Sequence, residues 1–368
     1  MRRFLECLIP LTACNLKCSY CYVIQKGWRK NEIPKFLYSP EHIGKALSQK
    51  RLGGVSLISM TASGETFLTK ELPFVALEIL KQGHFINITT NGTLTSQIEH
   101  FLKVTSGFHD HIHISFSCHY VELKKHGLVD VFYENINRVR NAGCSILYQI
   151  NLVDEYVPYW DEIKRISKDK VGAYPQVALT RKEGKNTCSI FSDNMSENQY
   201  KGKGREMHSP LFDFTCKNFM QKRYEYCYAG YWSATLNLCT GEMTSCYGHG
   251  VKQNIFENLT RPIKWRPIGN HCGCIYCANS SHFISQGIIP ELLPQPSYGE
   301  LRNREEAGWY TEPMKQFLYA QFEDSNRLLS RLEKWWFEYQ EKEFGRLKSI
   351  KTLREKAKFF VSKVIGHF

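Results

Sequence analysis

Short apolar runs alternate with amphipathic stretches through the first half of this chain. Strand-like runs occur at 4–11, 54–61, 85–90, 111–117, 145–152 and 175–181. Between most of them lie stretches of helical periodicity: SPEHIGKALSQK, KELPFVALEILKQG, VFYENINRVRNAG and PYWDEIKRISKD. Ser39 followed by Pro40 predicts a helix start, and Gly83 and Gly143 predict helix stops. Strands alternating with helices imply parallel βαβ units with the helices outside. Six such units predict an α/β chain whose core is a partial (β/α)6 TIM-like barrel. Ligand sites in such barrels lie at the carboxyl ends of the strands. Residues 14–21, 64–65, 91–92 and 117 all fall at or just after strand ends, so one mouth should gather them.

The first of these strand ends carries the run CNLKCSYC, with Cys14, Cys18 and Cys21 spaced Cys-x3-Cys-x2-Cys. Three thiolates this close can hold three irons of a cubane 4Fe–4S cluster and leave the fourth iron open. The other reading is a zinc knuckle or unrelated cysteines. A zinc site more often uses two separated pairs and closes its fourth position.

This run resembles the cluster motif of the radical S-adenosylmethionine (SAM) superfamily. The resemblance extends along residues 1–182. Tyr20 stands where that family places an aromatic beside the cluster and the adenine. Ala62-Ser63-Gly64-Glu65 is similar to the family's Gly-Gly-Glu motif, with Ser63 in place of the first glycine. There the backbone and the acid receive the methionine ammonium. Thr90-Asn91-Gly92-Thr93 looks like the family's Thr-Asn-Gly at the third strand end. Ser115 and Ser117 are placed for ribose contact at the fourth. The resemblance implies a 4Fe–4S cluster, SAM, and a reducing partner such as flavodoxin or ferredoxin. It implies reductive cleavage of SAM to a 5′-deoxyadenosyl radical that takes hydrogen from a substrate. Cys118 follows the fourth strand beside His119 and is a candidate hydrogen-atom donor at the mouth. The plainer reading is a small buried thiol, as for Cys7.

A second cysteine group lies at 216–277: Cys216, Cys227, Cys239, Cys246, Cys272, Cys274 and Cys277. WSATLNL alternates, Thr240-Gly241-Glu242 turns, and MTSC returns, which predicts a hairpin bracketed by Cys227 and Cys246. The arrangement resembles the twitch form of the auxiliary-cluster module found after the barrel in many radical SAM enzymes. Cys227, Cys246, Cys274 and Cys277 fit that form. The further spacings of the longer SPASM module are missing. Cys272 is a competing ligand, Cys239 a bystander beside the turn, and Cys216 either. Four cysteines around a hairpin also suit zinc.

Fourteen cysteines in a chain read as leaderless point to metal rather than disulfides. No stretch reaches transmembrane length, so a cytoplasmic, oxygen-sensitive protein is expected. Acceptor-like Asn258-Leu-Thr and Asn279-Ser-Ser are then chance matches. The net charge is +12. From Arg327 to the end, 11 Lys and Arg stand against 5 Asp and Glu. Leu328, Leu329, Leu332, Trp335, Trp336, Tyr339, Phe359 and Phe360 lie there at largely helical spacing. Such a tail either packs on the barrel or makes a weak peripheral contact with an anionic membrane surface. The basic, Gly-bearing stretch Lys201–Arg205 is expected in a loop, within reach of an anionic substrate. No aromatic pattern suggests nucleic-acid binding.

The expected organisation is a core barrel (1–182), a basic connection (183–225), a twitch-like module (226–290) and a helical basic extension (291–368). The expected activity is radical oxidation or rearrangement of a small anionic metabolite such as a sugar, nucleotide sugar or lipid-linked sugar. The alternatives are maturation of a ribosomally made peptide and a zinc-stabilised binding protein. Peptide-modifying members often carry a leader-binding domain before the barrel. The cluster run starts at residue 14, which tilts the expectation to a small molecule.

Overall fold

The computed structural model describes residues 1–184, 188–247, 249–270, 272–277 and 281–349, with side chains of the last helix as far as Gln340. The acceptor-like Asn279 and the tail aromatics Phe359 and Phe360 lie outside the described residues.

Six parallel strands follow one another in chain order: β1 (Arg3–Ile9), β2 (Ser56–Ala62), β3 (Phe85–Thr90), β4 (Ile112–Cys118), β5 (Ser145–Leu152) and β6 (Gln176–Leu179). Every sequence-predicted strand is present within about three residues of its expected bounds. Leu5, Cys7, Ile58, Met60, Ile86, Ile88, Ile112, Ile114 and Phe116 form one face of the sheet and are buried in the main core with the surrounding helices. Burial of each such side chain contributes about 1.5–3 kcal/mol.

The helices at Pro40–Ala46, Leu72–Leu80, Val129–Asn141 and Trp160–Val171 occupy the predicted stretches. Ser39 caps the first by accepting from the His42 backbone N–H at 3.3 Å. A further helix, Thr95–Val104, was not foreseen: its buried side is only Ile98, Phe101 and Leu102.

The opposite face of the strands is polar. Asn87 Nδ2 donates to Ser59 Oγ at 3.0 Å, and Asn87 Oδ1 takes His113 Nδ1 at 2.7 Å and Ser115 Oγ at 2.8 Å. These bonds cross β2, β3 and β4 in register. Glu6 lies on the same face of β1, opposite Ser59.

After β6 come a small hairpin, β7 (Arg181–Glu183) with β8 (Cys188–Ile190), and two helices, Glu197–Arg205 and Pro210–Asn218. The run Lys201–Arg205 is therefore helical rather than a loop. Ser196 and Gln199 form a capping box that starts this helix. Its charges are spoken for: Lys201 pairs with Glu197 at 2.5 Å, Lys203 with Glu206 at 3.1 Å, and Arg205 with Asp213 at 2.9 Å. It offers no cluster of free cations to an anionic substrate.

The predicted cysteine-bracketed hairpin is β9 (Ser233–Asn237) and β10 (Glu242–Cys246), with Met243 opposite Leu236. A third strand, β11 (His249–Asn254), follows. The hairpin does not stand apart. β9 pairs parallel with β1, so all nine strands of the larger sheet run β11-β10-β9-β1-β2-β3-β4-β5-β6.

The extension beyond residue 290 is only partly helical, at Glu312–Tyr319, Phe322–Ser325 and Arg331–Ser349. It closes the amino end of the barrel. Phe4, Leu57 and Phe85, the first inward residues of β1 to β3, share a second core with Phe283, Tyr298, Met314, Leu318 and Phe322. Phe85 stacks on Phe317 with ring centroids 4.1 Å apart. One end of the barrel is thus sealed, and the carboxyl ends of the strands remain as the mouth.

Candidate active site

The loop after β1 carries Cys14, Cys18 and Cys21, and backbone contact fixes it to the loop after β2. Gly64 N donates to Leu11 O at 2.7 Å, and Glu65 N donates to Ala13 O at 2.9 Å. A Cβ on Gly64 would stand 2.0 Å from Ala13 O. Only glycine admits this approach. That gives a physical reason for Gly64 and for tolerance of Ser63 before it.

Glu65 is buried, and its carboxylate takes three bonds from the protein: Phe67 N at 3.0 Å, Thr90 Oγ1 at 2.7 Å and Asn91 N at 2.7 Å. Burial raises its pKa and those bonds oppose the rise. Glu65 therefore ties the ends of β2 and β3 together. Asn91 Nδ2 donates to Asn15 Oδ1 at 2.8 Å and lies 3.7 Å from Cys14 Sγ. The expected convergence of the Cys14–Cys21, Gly64–Glu65 and Asn91 loops is observed.

Several residues that hold this loop carried no signal in the sequence. Arg29 donates to Leu16 O at 2.9 Å and to Cys14 O. Glu122 Oε2 accepts from Lys17 N at 2.9 Å. Tyr20 OH meets His119 Nδ1 at 2.6 Å and Tyr156 OH at 2.9 Å. Burial holds the His119 pKa down at about 4, so this ring is neutral.

The donor set suits an iron–sulfur cluster. The three thiols stand in one loop, and burial followed by the proximity of Cys14 and Cys21 raises the Cys18 pKa. Mutual repulsion of thiolates is what a cluster's cationic irons relieve. Leu16 N, 3.5 Å from Cys14 Sγ, and the Asn91 amide are N–H donors of the kind that tune cluster sulfurs.

Cys118 belongs elsewhere. Alternation along β4 puts Ser115 and Ser117 on the inner face and Cys118 with Phe116 on the helix side. Cys118 is 1 % exposed, and burial raises its pKa to about 12. It packs in the core and does not face the mouth, so the hydrogen-donor expectation is withdrawn. Ser115 is buried against Asn87, and Ser117 Oγ accepts from Gln149 Nε2 at 3.3 Å.

Five thiols of the second group, Cys227, Cys246, Cys272, Cys274 and Cys277, line one cavity of about 190 Å³ together with Tyr247, Arg266 and Ile268. Cys227 is fixed by a backbone bridge to Gly269, at 3.1 and 2.9 Å. Lys222 Nζ donates to Cys272 O at 3.3 Å and to Cys274 O at 2.5 Å, which pins the turn between them. Cys239 is buried in the main core, as expected of a bystander. Cys216 sits on the helix Pro210–Asn218, whose neighbours are Lys201, Asp213 and Arg205. Among the described residues, no three His, Cys, Asp or Glu side chains are grouped closely enough to hold a single metal ion.

Tyr247 connects the two regions. It lines the thiol cavity, and its hydroxyl pKa is raised by burial and then by the field of Glu6 in the barrel. Glu6 itself is 2 % exposed, and its Oε2 has no hydrogen-bond partner among the described residues.

The family described as the radical SAM superfamily matches residues 8–164. A curated relative, 7-carboxy-7-deazaguanine synthase of Aquifex aeolicus (strain VF5), is 31 % identical over 111 residues, which are 27 % of this chain and 42 % of the relative. The chain thus spans under half the length of that relative. Among solved structures, Streptococcus suis SuiB has a TM-score of 0.45 at 16 % identity, covering 70 % of this chain and 64 % of SuiB. The anSMEcpe structure with bound AdoMet has a TM-score of 0.46 at 14 % identity, covering 70 % and 79 %. Residues 8–164 thus carry the match to the radical SAM superfamily, whose domains work with a 4Fe–4S cluster and SAM.

Proposed function

We propose that this chain is a radical SAM enzyme that transforms a small polar molecule held inside the barrel, by oxidation or rearrangement. The observation that carries the reading is the clamp at the mouth, where the Cys14–Cys21 loop lies on Gly64, Glu65 and Asn91. Cys14, Cys18 and Cys21 would hold the cluster, the Ser63–Glu65 backbone and Asn91 would border the methionine end of SAM, and Ser117 the ribose. When bound, the pair supplies a carbon-centred radical from reductive cleavage of the sulfonium. The chain's own part is placement and shielding. The sealed amino end of the barrel excludes water from below. Glu6, Ser59, Asn87 and His113 give the interior a hydrogen-bonding wall.

That wall favours a ligand bearing N–H or O–H donors, since the orphan oxygen of Glu6 can accept one. The comparisons give no support to a sugar or lipid-linked sugar. Cys227, Cys246, Cys274 and Cys277 would hold an auxiliary cluster, with Cys272 as a fifth thiol on the same cavity. Tyr247 between that cavity and Glu6 suits electron exchange with a substrate in the barrel.

The test is anaerobic reconstitution followed by dithionite and SAM. The expected product is 5′-deoxyadenosine, with none from the Cys14→Ala/Cys18→Ala/Cys21→Ala variant. Equal yield from that variant refutes the reading. About eight irons per chain are expected, falling to about four in the variant; zinc in place of iron would support a binding protein instead.

A further inference from the structure

The helix Arg331–Ser349 shows two unlike sides. On one side it is anchored to the cysteine-rich module. Lys334 Nζ lies 4.4 Å from the Tyr226 ring centroid, Phe337 packs on Tyr231 at 5.9 Å, and Asn270 Nδ2 donates to Glu338 Oε1 at 3.0 Å. Its start is fixed by Glu333, which accepts from Ser330 N at 2.8 Å and from Arg327. On the other side, Leu332, Trp335, Trp336 and Tyr339 follow the i, i+3, i+4, i+7 spacing of a single helix face. Leu332 is 79 % exposed, Trp335 58 % and Trp336 50 %. Trp335 and Trp336 both stack on Tyr339, at 5.4 and 6.0 Å. Large apolar side chains on this scale are not scattered surface residues; they form a rigid patch held outward by the opposite face.

We propose that this patch docks on an anionic membrane surface. The charge of the chain chooses lipid over a protein groove. From residue 342 to the end there are 8 Lys and Arg against 2 Asp and Glu. A basic block continuing directly from a Trp/Tyr/Leu face is the composition of an interfacial helix, in which aromatic rings enter the headgroup layer and cations meet acidic lipid. No described helix is long and apolar enough to cross a membrane, so the contact is at the surface. Ile268, which lines the thiol cavity, packs against the same core cluster as Phe337 of the helix, so the bilayer would stand near that cavity. The inference does not depend on the chemistry in the barrel.

The test uses the full chain, reconstituted anaerobically, in flotation with phosphatidylcholine vesicles containing about one quarter phosphatidylglycerol, and with phosphatidylcholine alone. At low salt the protein should float with the acidic vesicles and be released by high salt. Leu332→Ser/Trp335→Ser/Trp336→Ser should lower the bound fraction about tenfold or more, with unchanged far-ultraviolet circular dichroism and iron content. These side chains are exposed, so the variant retains its fold. Two outcomes overturn the proposal. One is no flotation of the wild type with acidic vesicles at low salt, which would leave the patch to a protein partner. The other is equal flotation of the variant, which would assign the attraction to the basic residues alone.

Discussion

Glu6 offers a way to measure what the barrel interior gives up in stability. It sits on β1 in the interior, 2 % exposed. Burial raises its pKa from 4.5 to about 7; hydrogen bonds from Thr61 and Ser59 and the charge of Arg302 oppose the rise. The sign of the linkage follows. An acid whose folded pKa lies above its unfolded value binds protons more tightly when folded. Its contribution is fully present below pH 4.5 and is lost as pH rises through about 7. The loss amounts to about 3 kcal/mol at pH 8. Glu6→Gln keeps shape and the acceptor oxygen but removes the ionisation. The variant should therefore melt higher than wild type at pH 8, by roughly 3–6 °C for a chain of this size, and no higher near pH 4.5. Thermal unfolding of the anaerobically reconstituted protein between pH 4.5 and 8 measures this. An unchanged or lower melting temperature for the variant at pH 8, or an undiminished pH slope, would refute the reasoning. A positive result would mean that an acid is kept inside the barrel at a cost to stability, which is expected of a group retained for a ligand.

Cys118→Ala should lower stability by about 1–2 kcal/mol, read by thermal unfolding, while the yield of 5′-deoxyadenosine per folded enzyme stays the same; loss of that yield would return the thiol to the active site. Gly64→Ala should abolish iron binding at the Cys14–Cys21 loop, since the methyl group would overlap the Ala13 carbonyl; Mössbauer iron quantitation that shows the full complement would contradict the close approach seen here. Cys272→Ala should retain the auxiliary cluster and Cys277→Ala should lose it, by iron count; the reverse pattern would exchange their roles.

What the sequence disclosed and what it withheld divide along the range of the interactions. The six strands and most helices are written in local periodicity, and the clamp residues Cys14, Gly64 and Asn91 stand at strand ends where their position alone marks them. Glu6 was hidden inside an apolar run, where a single polar residue reads as the solvent side of a strand. Its meaning depends on the closure of a barrel and on Arg302, nearly three hundred residues away. The plug at the amino end of the barrel is likewise non-local. Phe283 and Tyr298 come from short turns and Phe322 from a four-residue helix, segments too short for periodicity, and only their shared core with Phe4, Leu57 and Phe85 gives them a role.

Cys118 shows the converse, since the sequence alone argues against its facing the mouth. Ser115 and Ser117 share one face of β4, and a period of two then requires Cys118 on the other. Adjacency to His119 in the sequence does not outweigh register. The cysteine-rich hairpin shows how far local reading can reach and where it stops. Its turn and flanking thiols were legible, because alternation and Thr240-Gly241-Glu242 are local signals. Its pairing with β1 was not, because a parallel partner across 230 residues leaves no mark in either strand. That pairing is what brings Tyr247 towards Glu6, and so makes the thiol cavity and the barrel interior neighbours rather than separate sites.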